Sequence, residues 1–404
     1  MKSLTKIGLG ILTSVGGYLE VGSIGTAIQA GAAFRFSLLW TIALGTICIA
    51  FLTEMTGRLA AVTHEPVVAA VRKRFGIRVH LWPLTTQVVI DLLVLASEIG
   101  GASLALELAT GITIRVWVIP VALLVWALLW FATFGSIEHG VAVLGLVTLS
   151  FTVAAWWLRP NLAELAHGLV PHRPAQDAAR YGYLAVGILG ATVSPYLFSF
   201  YSSGAVEEKW RVKELMPNRI VAAAGMMFGG LVAMSVMVVA AIVLAPRGIN
   251  GDFYQQAATM LSLPFGRWGF RVFCASLFIG CVGAALELAL DVSYIVGQSF
   301  GWAWSEDQPP AEEARFALGY SIVVALGTIP SLLGIDPLAF TMFSMAMTVV
   351  ALPILIAPLL VVMNDEHHLR AYTNGWITNA AVIAIVALAF ALAVVAIPLQ
   401  ILGG

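Results

Sequence analysis

Long apolar runs separated by short polar joints decide what this chain can fold into. A hydrocarbon layer about 30 Å thick takes about 20 residues of helix to cross. On that measure the sequence holds about eleven spans, near 7–34, 37–61, 82–108, 114–133, 139–157, 182–203, 217–245, 268–299, 315–334, 337–362 and 375–402. The joints carry charge, Pro or Gly: the run at Arg72, Lys73 and Arg74, then Arg159 to Arg180, Glu207 to Lys213, Arg247 to Asp252, Glu306 to Glu313, and Asn364 to Arg370. Only 11% of the 404 residues are charged and 60% are hydrophobic, against about 25% charged in a soluble domain. That is too little polar surface to coat a water-soluble globule. The expected fold class is therefore an all-α membrane protein, with the lipid bilayer as its solvent.

The ends of the spans give an orientation. Lys2 and Lys6 precede an apolar run that could pass for a signal peptide, but no small-residue cleavage site follows, so it reads as the first half of a retained membrane helix. Eleven spans put the termini on opposite sides. With the N-terminus inside, 13 of the 21 Lys and Arg residues lie inside, among them the dense clusters at Arg72–Arg74 and Lys209–Lys213. Cys48, Cys274 and Cys281 lie in apolar stretches without metal-ligand spacing and read as small core residues. A net charge of −1 offers no basic field for nucleic acid. No phosphate loop, dinucleotide fingerprint, nucleophile elbow or HExxH motif is present, so neither an enzyme nor a cofactor is expected.

A charge inside a span is expensive, about 2.5–3.5 kcal/mol at a helix centre, so the few that occur carry information. Glu20 lies in Gly16-Gly17-Tyr18-Leu19-Glu20-Val21-Gly22-Ser23-Ile24-Gly25, where four glycines in ten residues make a poor continuous helix. The sixth span repeats the pattern in Gly190-Ala191-Thr192-Val193-Ser194-Pro195-Tyr196, where Pro195 leaves the Ala191 carbonyl without its helical donor. Two interrupted spans, one opening each half of the chain, point to an inverted-repeat transporter with a midplane site. The competing reading is a pair of kinked packing helices. Glu287 and Asp291 are four residues apart and share one helix face, which must turn inward and offers a second cation contact, a gate, or structural acids. Asp91 and Glu107 are expected near opposite ends of span three. Glu54 and Arg58 are expected to form an ion pair, and Asp365-Glu366-His367-His368 to be a solvated joint rather than a metal cluster.

At these residues the chain resembles the natural resistance-associated macrophage protein (NRAMP) divalent-metal transporters. The resemblance runs through Gly17-Tyr18-Leu19-Glu20-Val21-Gly22-Ser23-Ile24, Gln29-Ala30-Gly31-Ala32, Ser37-Leu38-Leu39-Trp40, Glu98-Ile99-Gly100-Gly101, the Gly190 to Pro195 break and Gly297-Gln298. It implies a LeuT-like (APC-type) fold in one transmembrane domain, with residues 1–157 and 182–362 as inverted repeats of five spans and 375–402 as an extra span. It also implies a multi-pass protein of a prokaryotic inner membrane. The implied substrate contacts are the Gly17 and Ala191 carbonyls, Glu20, Ser23 and Ser194. Tyr196, Glu98, Glu138, Glu287 and Asp291 are candidates for coupling or gating.

The departures from the family pattern shape the expected chemistry. The family's Asp-Pro-Gly-Asn reads Glu20-Val21-Gly22-Ser23 here, its Met-Pro-His reads Ser194-Pro195-Tyr196, and a glutamine of the tenth span falls on Met345. Loss of the thioether leaves oxygen donors, which suit Mg²⁺, an ion that keeps several waters. The chain then looks like the magnesium-transporting relatives of the family, with Mn²⁺ also carried. With Tyr196 at the histidine position and Leu95 where the family has an acid, proton coupling is expected to be weak or absent. The alternative is a carrier repurposed for a small organic cation or amine. No motif dictates an oligomer, and a monomer satisfies the reading.

Overall fold

A computed structural model describes residues 18, 20–132, 145–172, 174, 177–249, 251, 254–305 and 308–401. Every regular element among them is helical. Among the described residues, nine stretches are long and apolar enough to cross a membrane, and two shorter apolar helices, Val21–Phe34 and Leu146–Trp157, lie at the first and fifth expected spans. Each of the eleven expected spans thus overlaps a helix, the first and fifth over their described residues. In lipid a helix satisfies its own backbone groups, which is why the apolar runs take this form.

The main helices are α1 (Val21–Phe34), α2 (Leu39–Thr63), α3 (Val67–Thr110), α4 (Ile114–Phe131), α5 (Leu149–Trp157), α6 (Ala178–Thr192), α7 (Pro195–Glu207), α8 (Leu215–Val243), α9 (Gly269–Phe300), α10 (Ala314–Gly327), α11 (Pro337–Met363) and α12 (Trp376–Ile401). Span six is therefore two helices, α6 and α7, meeting at Ser194. Span three begins earlier than expected. The basic run at Arg72–Arg74 is no joint but the first turns of α3, which bends at Gly76 (φ 75°, ψ 164°) instead of ending. That positive φ is open to glycine at little cost, and the remaining turns run on as the membrane span.

The centre of the bundle is built from the broken helices and their neighbours. α1 packs against α6, α8 and α11, while α3 runs along α9 and α11. Small residues allow the close approaches: a Cβ on Gly31 of α1 would sit 2.3 Å from the Met237 carbonyl oxygen of α8. This is the packing expected where lipid supplies no hydrophobic drive between helices. At the periphery, Trp130 and Phe131 of α4 and Trp376 and Ile401 of α12 are exposed, as lipid-facing side chains must be.

The end of the bundle rich in Arg and Lys is held by ion pairs. Arg58 of α2 meets Glu54 at 3.1 Å, as expected, and also reaches the Tyr372 carbonyl and Asn374 in the joint before α12. Arg219 at the start of α8 lies 3.6 Å from the same Glu54. Asp365 accepts from Arg74 at 2.9 Å, so the joint after α11 is tied to the first turns of α3.

Candidate functional site

Glu20 is the residue immediately before α1, in extended conformation (φ −92°, ψ 171°) and buried. The helix it precedes has no side-chain cap of its own, and its first N–H groups need acceptors. Glu98 of α3 supplies one: the Val21 N–H donates to both Glu98 oxygens at 3.1 Å. A carboxylate at a helix N-terminus also meets the positive end of the helix dipole. Glu98, a candidate for coupling on sequence, thus holds α1 in place. Tyr254 donates to the Val21 carbonyl at 3.1 Å. Ser23 turns its hydroxyl to the backbone, donating to the carbonyls of Tyr18 and Glu20 at 3.0 Å each. Its oxygen keeps lone pairs for a cation, but its proton is committed to the break.

The second break is built differently. Ser194 is extended (φ −73°, ψ 130°) and Pro195 is the first residue of α7, the position where a missing N–H does least harm. Ala191 lies in the last turn of α6, and Pro195 has no N–H to offer its carbonyl. The Ser194 hydroxyl is fully buried and has no hydrogen-bond partner.

Tyr196 joins the two breaks by donating to Glu20 Oε2 at 3.2 Å. The other carboxylate oxygen, Oε1, is buried without a hydrogen-bond partner. The side chain beside it is one the sequence had marked only as a replacement. A Cβ placed on Gly22 would lie 2.6 Å from the Met345 sulfur and 3.1 Å from Glu20 Oε1, so the two atoms are near neighbours. α11 thus brings a thioether near the oxygen donors expected from the sequence, where α6 and α7 bring none. The position of Met345 in the chain was legible, but the face of α11 that meets α1 was not.

Two expected site residues, Gly17 and Glu138, lie outside the described residues. Glu287 and Asp291 turn inward on α9, as expected, with Glu287 close enough to Glu20 and Tyr196 to interact electrostatically. Asp91 departs from expectation. It sits in the middle of α3, fully buried, with its carboxyl facing that of Asp291. Gln87 and Ser199 complete that group. Sequence spacing carried a signal for it: His80, Gln87, Asp91 and Glu98 recur at intervals of 7, 4 and 7 residues, one stripe of a helix. Among the described residues, no group of three or more His, Cys, Asp or Glu is arranged to hold a metal ion. A cation at Glu20 would therefore depend on neutral donors beside the single carboxylate.

A family model described as natural resistance-associated macrophage protein-like matches residues 10–398. The chain belongs to this family. This NRAMP protein is 25% identical over 404 residues to the divalent metal cation transporter MntH of Aeromonas hydrophila, covering 96% of the chain and 94% of that relative. Its fold is similar to that of the Eremococcus coleocola manganese transporter solved with an aromatic bis-isothiourea substituted compound, with a TM-score of 0.77 at 19% identity over 99% of this chain and 87% of that one. It is also similar to MhsT solved in complex with L-phenylalanine, with a TM-score of 0.65 at 16% identity over 96% and 97% of the two chains. At such identities these neighbours speak for the fold alone, and the fold is the LeuT-like, all-α one that the resemblance implied.

Proposed function

We propose that this NRAMP protein is a secondary transporter that moves a divalent metal cation across the membrane by alternating access. One observation carries the reading: Glu20 is a buried carboxylate at a helix break, with one oxygen held by Tyr196 and the other open beside the Met345 sulfur. A bare carboxylate at that depth is costly, and a cation offsets the cost. Ser194 with its open hydroxyl, the Ala191 carbonyl and the lone pairs of Ser23 are the neutral donors available on the two breaks. The naming of the MntH relative as a divalent metal cation transporter supports the same reading.

The choice of ion follows from donor chemistry. Oxygen donors suit both Mg²⁺ and Mn²⁺, while a soft thioether adds affinity for a transition-metal ion such as Mn²⁺ and none for the harder Mg²⁺. With Met345 beside Glu20 the balance moves to Mn²⁺. Mg²⁺ is the competing cargo, and it regains first place if Met345 makes no contact with the ion. Tyr196 and Leu95 stand where a histidine and an acid would serve proton coupling in the family, which supports weak or absent coupling by that route. The organic-cation reading has no observation in its favour that the metal reading lacks.

The test is a flux panel in proteoliposomes with Mn²⁺, Mg²⁺ and a small primary amine, with Glu20→Ala as the control. Mn²⁺ uptake by the wild type and its loss in the variant are expected. Uptake of the amine alone would replace the metal reading.

A further inference from the structure

Away from Glu20, towards the Arg- and Lys-rich end, α3, α7 and α9 bring together a second buried polar group. Gln87 of α3 donates through Nε2 to Asp291 Oδ2 at 3.0 Å and to the Ser199 hydroxyl of α7 at 2.6 Å. Ser199 in turn donates to the same Asp291 Oδ2 at 2.8 Å. The donors converge on one oxygen. Asp291 Oδ1 and both oxygens of Asp91 are buried with no hydrogen-bond partner of normal geometry, although Asp91 faces Asp291. Three of the four carboxyl oxygens thus receive no donor, on two facing acids that are both fully buried.

Among the described residues, no basic group acts on either acid. The titratable group outside the pair that acts on it is Glu20 before α1; Glu98, Glu287 and Tyr196 cluster around Glu20 itself, and His80 on α3 is bonded to Ser299. α11 carries no titratable group. The arginines of α4 and α10 lie elsewhere, Arg115 against Gly334 and Arg315 over Trp302. Two facing carboxyls in a low-dielectric interior cannot both stay ionised and unbalanced. One unit of positive charge between them relieves the repulsion and leaves a single net negative charge, as when two carboxyls share one proton. On the side towards the basic end there is a cavity of about 30 Å³ lined by Val67, His80, Gln87 and Phe198. A water needs about 10–15 Å³ of such space and two to four polar partners; His80 and Gln87 are the polar groups of an otherwise apolar lining, so a cation or water entering here passes those two side chains.

We propose that Asp91 and Asp291 form a second site, separate from the one at Glu20, that binds a single monovalent cation, H⁺ or Na⁺, reached past His80 and Gln87. Occupancy keeps Ser199 fastened to α3 and α9, and α7 carries Ser194 and Tyr196 at its other end. Loss of the cation sets two like charges against each other across that fastening. Only the role of the site in transport rests on the metal-transport reading; its existence does not.

The experiment uses the purified full chain in lipid and compares wild type with Asp91→Asn, a near-isosteric change that removes one acid. If the cation is H⁺, the infrared difference spectrum shows loss of a neutral-carboxyl C=O band in the variant. If it is Na⁺, NaCl raises the melting temperature of the wild type over choline chloride, and the rise is lost in the variant. Asp291→Asn is expected to remove the same signal. Absence of both signals from the wild type, or persistence of either in Asp91→Asn, overturns the proposal. Neither readout needs metal transport, so failure of the transport reading would leave this result standing, and the reverse holds too.

Discussion

The Tyr196 hydroxyl donates to Glu20 Oε2 at 3.2 Å, and this one bond spans the two helix breaks. It links the start of α7 to the residue before α1 and leaves Glu20 Oε1 open. A hydrogen bond to a charged group contributes about 1.5–3 kcal/mol, and an orphaned buried acceptor loses a comparable amount. Tyr196→Phe should therefore lower the stability of the ion-free protein by about 1–3 kcal/mol. Added Mn²⁺ should recover part of the loss, because a bound cation satisfies both oxygens. Chemical unfolding in detergent with and without Mn²⁺ reads the difference; equal stability of wild type and variant in both conditions would mean that the hydroxyl does not hold Glu20.

The two breaks were legible in the sequence because glycine and proline act on their own few residues. The glycines around Glu20 weaken a helix locally and Pro195 withholds one donor, and in the structure α1 starts at Val21 and α7 at Pro195. The donors around the breaks were less legible. Whether Met345 meets α1 depends on the rotation of α11, which is set by packing against α6 and α3, far away in sequence. Asp91 was misplaced for a related reason: α3 begins at Val67 and bends at Gly76, so a position that looked close to the end of a span falls mid-helix. The stripe from His80 to Glu98 was readable as a spacing. Its partner stripe on α9 could be assigned to it only once the helices were seen side by side.

Two glycine substitutions should separate site from scaffold. A Cβ on Gly190 of α6 would sit 2.0 Å from the Met345 carbonyl oxygen, a backbone atom that cannot swing away. Overpacking of this kind costs about 1–3 kcal/mol or more, so Gly190→Ala should melt earlier whatever ion is present. A Cβ on Gly22 would instead meet the Met345 sulfur at 2.6 Å, the mobile end of a flexible side chain. Gly22→Ala should keep most of its stability and lose Mn²⁺ affinity as the thioether is pushed aside. Melting curves and isothermal titration on both variants distinguish them; the reverse pattern would put Met345 outside the site.

Met345→Leu asks the selectivity question alone. Leu and Met are close in volume, and such swaps in a core usually cost under about 1.5 kcal/mol. The thioether is a soft donor and the leucine methyls are none. The ratio of Mn²⁺ to Mg²⁺ affinity should fall by about tenfold, or about 1.4 kcal/mol, with little change for Mg²⁺ itself. Competition titrations with the two ions measure this ratio directly. An unchanged ratio would leave the oxygen donors to decide and return Mg²⁺ to first place.

At the basic end, Asp365 offers a pH-dependent fastening between α3 and the joint after α11. The His367 N–H donates to Asp365 Oδ1 at 2.9 Å and Arg74 lies 2.9 Å from Oδ2, and the two together hold this carboxyl below the ordinary aspartate range. A carboxyl held low stabilises the folded form above its unfolded value, about 3.9. That contribution is lost as pH falls through the lower folded value, where protonation releases Arg74. Backbone hydrogen exchange in 366–372 should therefore rise below about pH 4 beyond the intrinsic rate. Asp365→Asn should show the faster exchange already at neutral pH and no further step on acidification. If the variant retained the acid step, some other carboxylate would be holding the joint, and the Arg74 contact would be incidental to it.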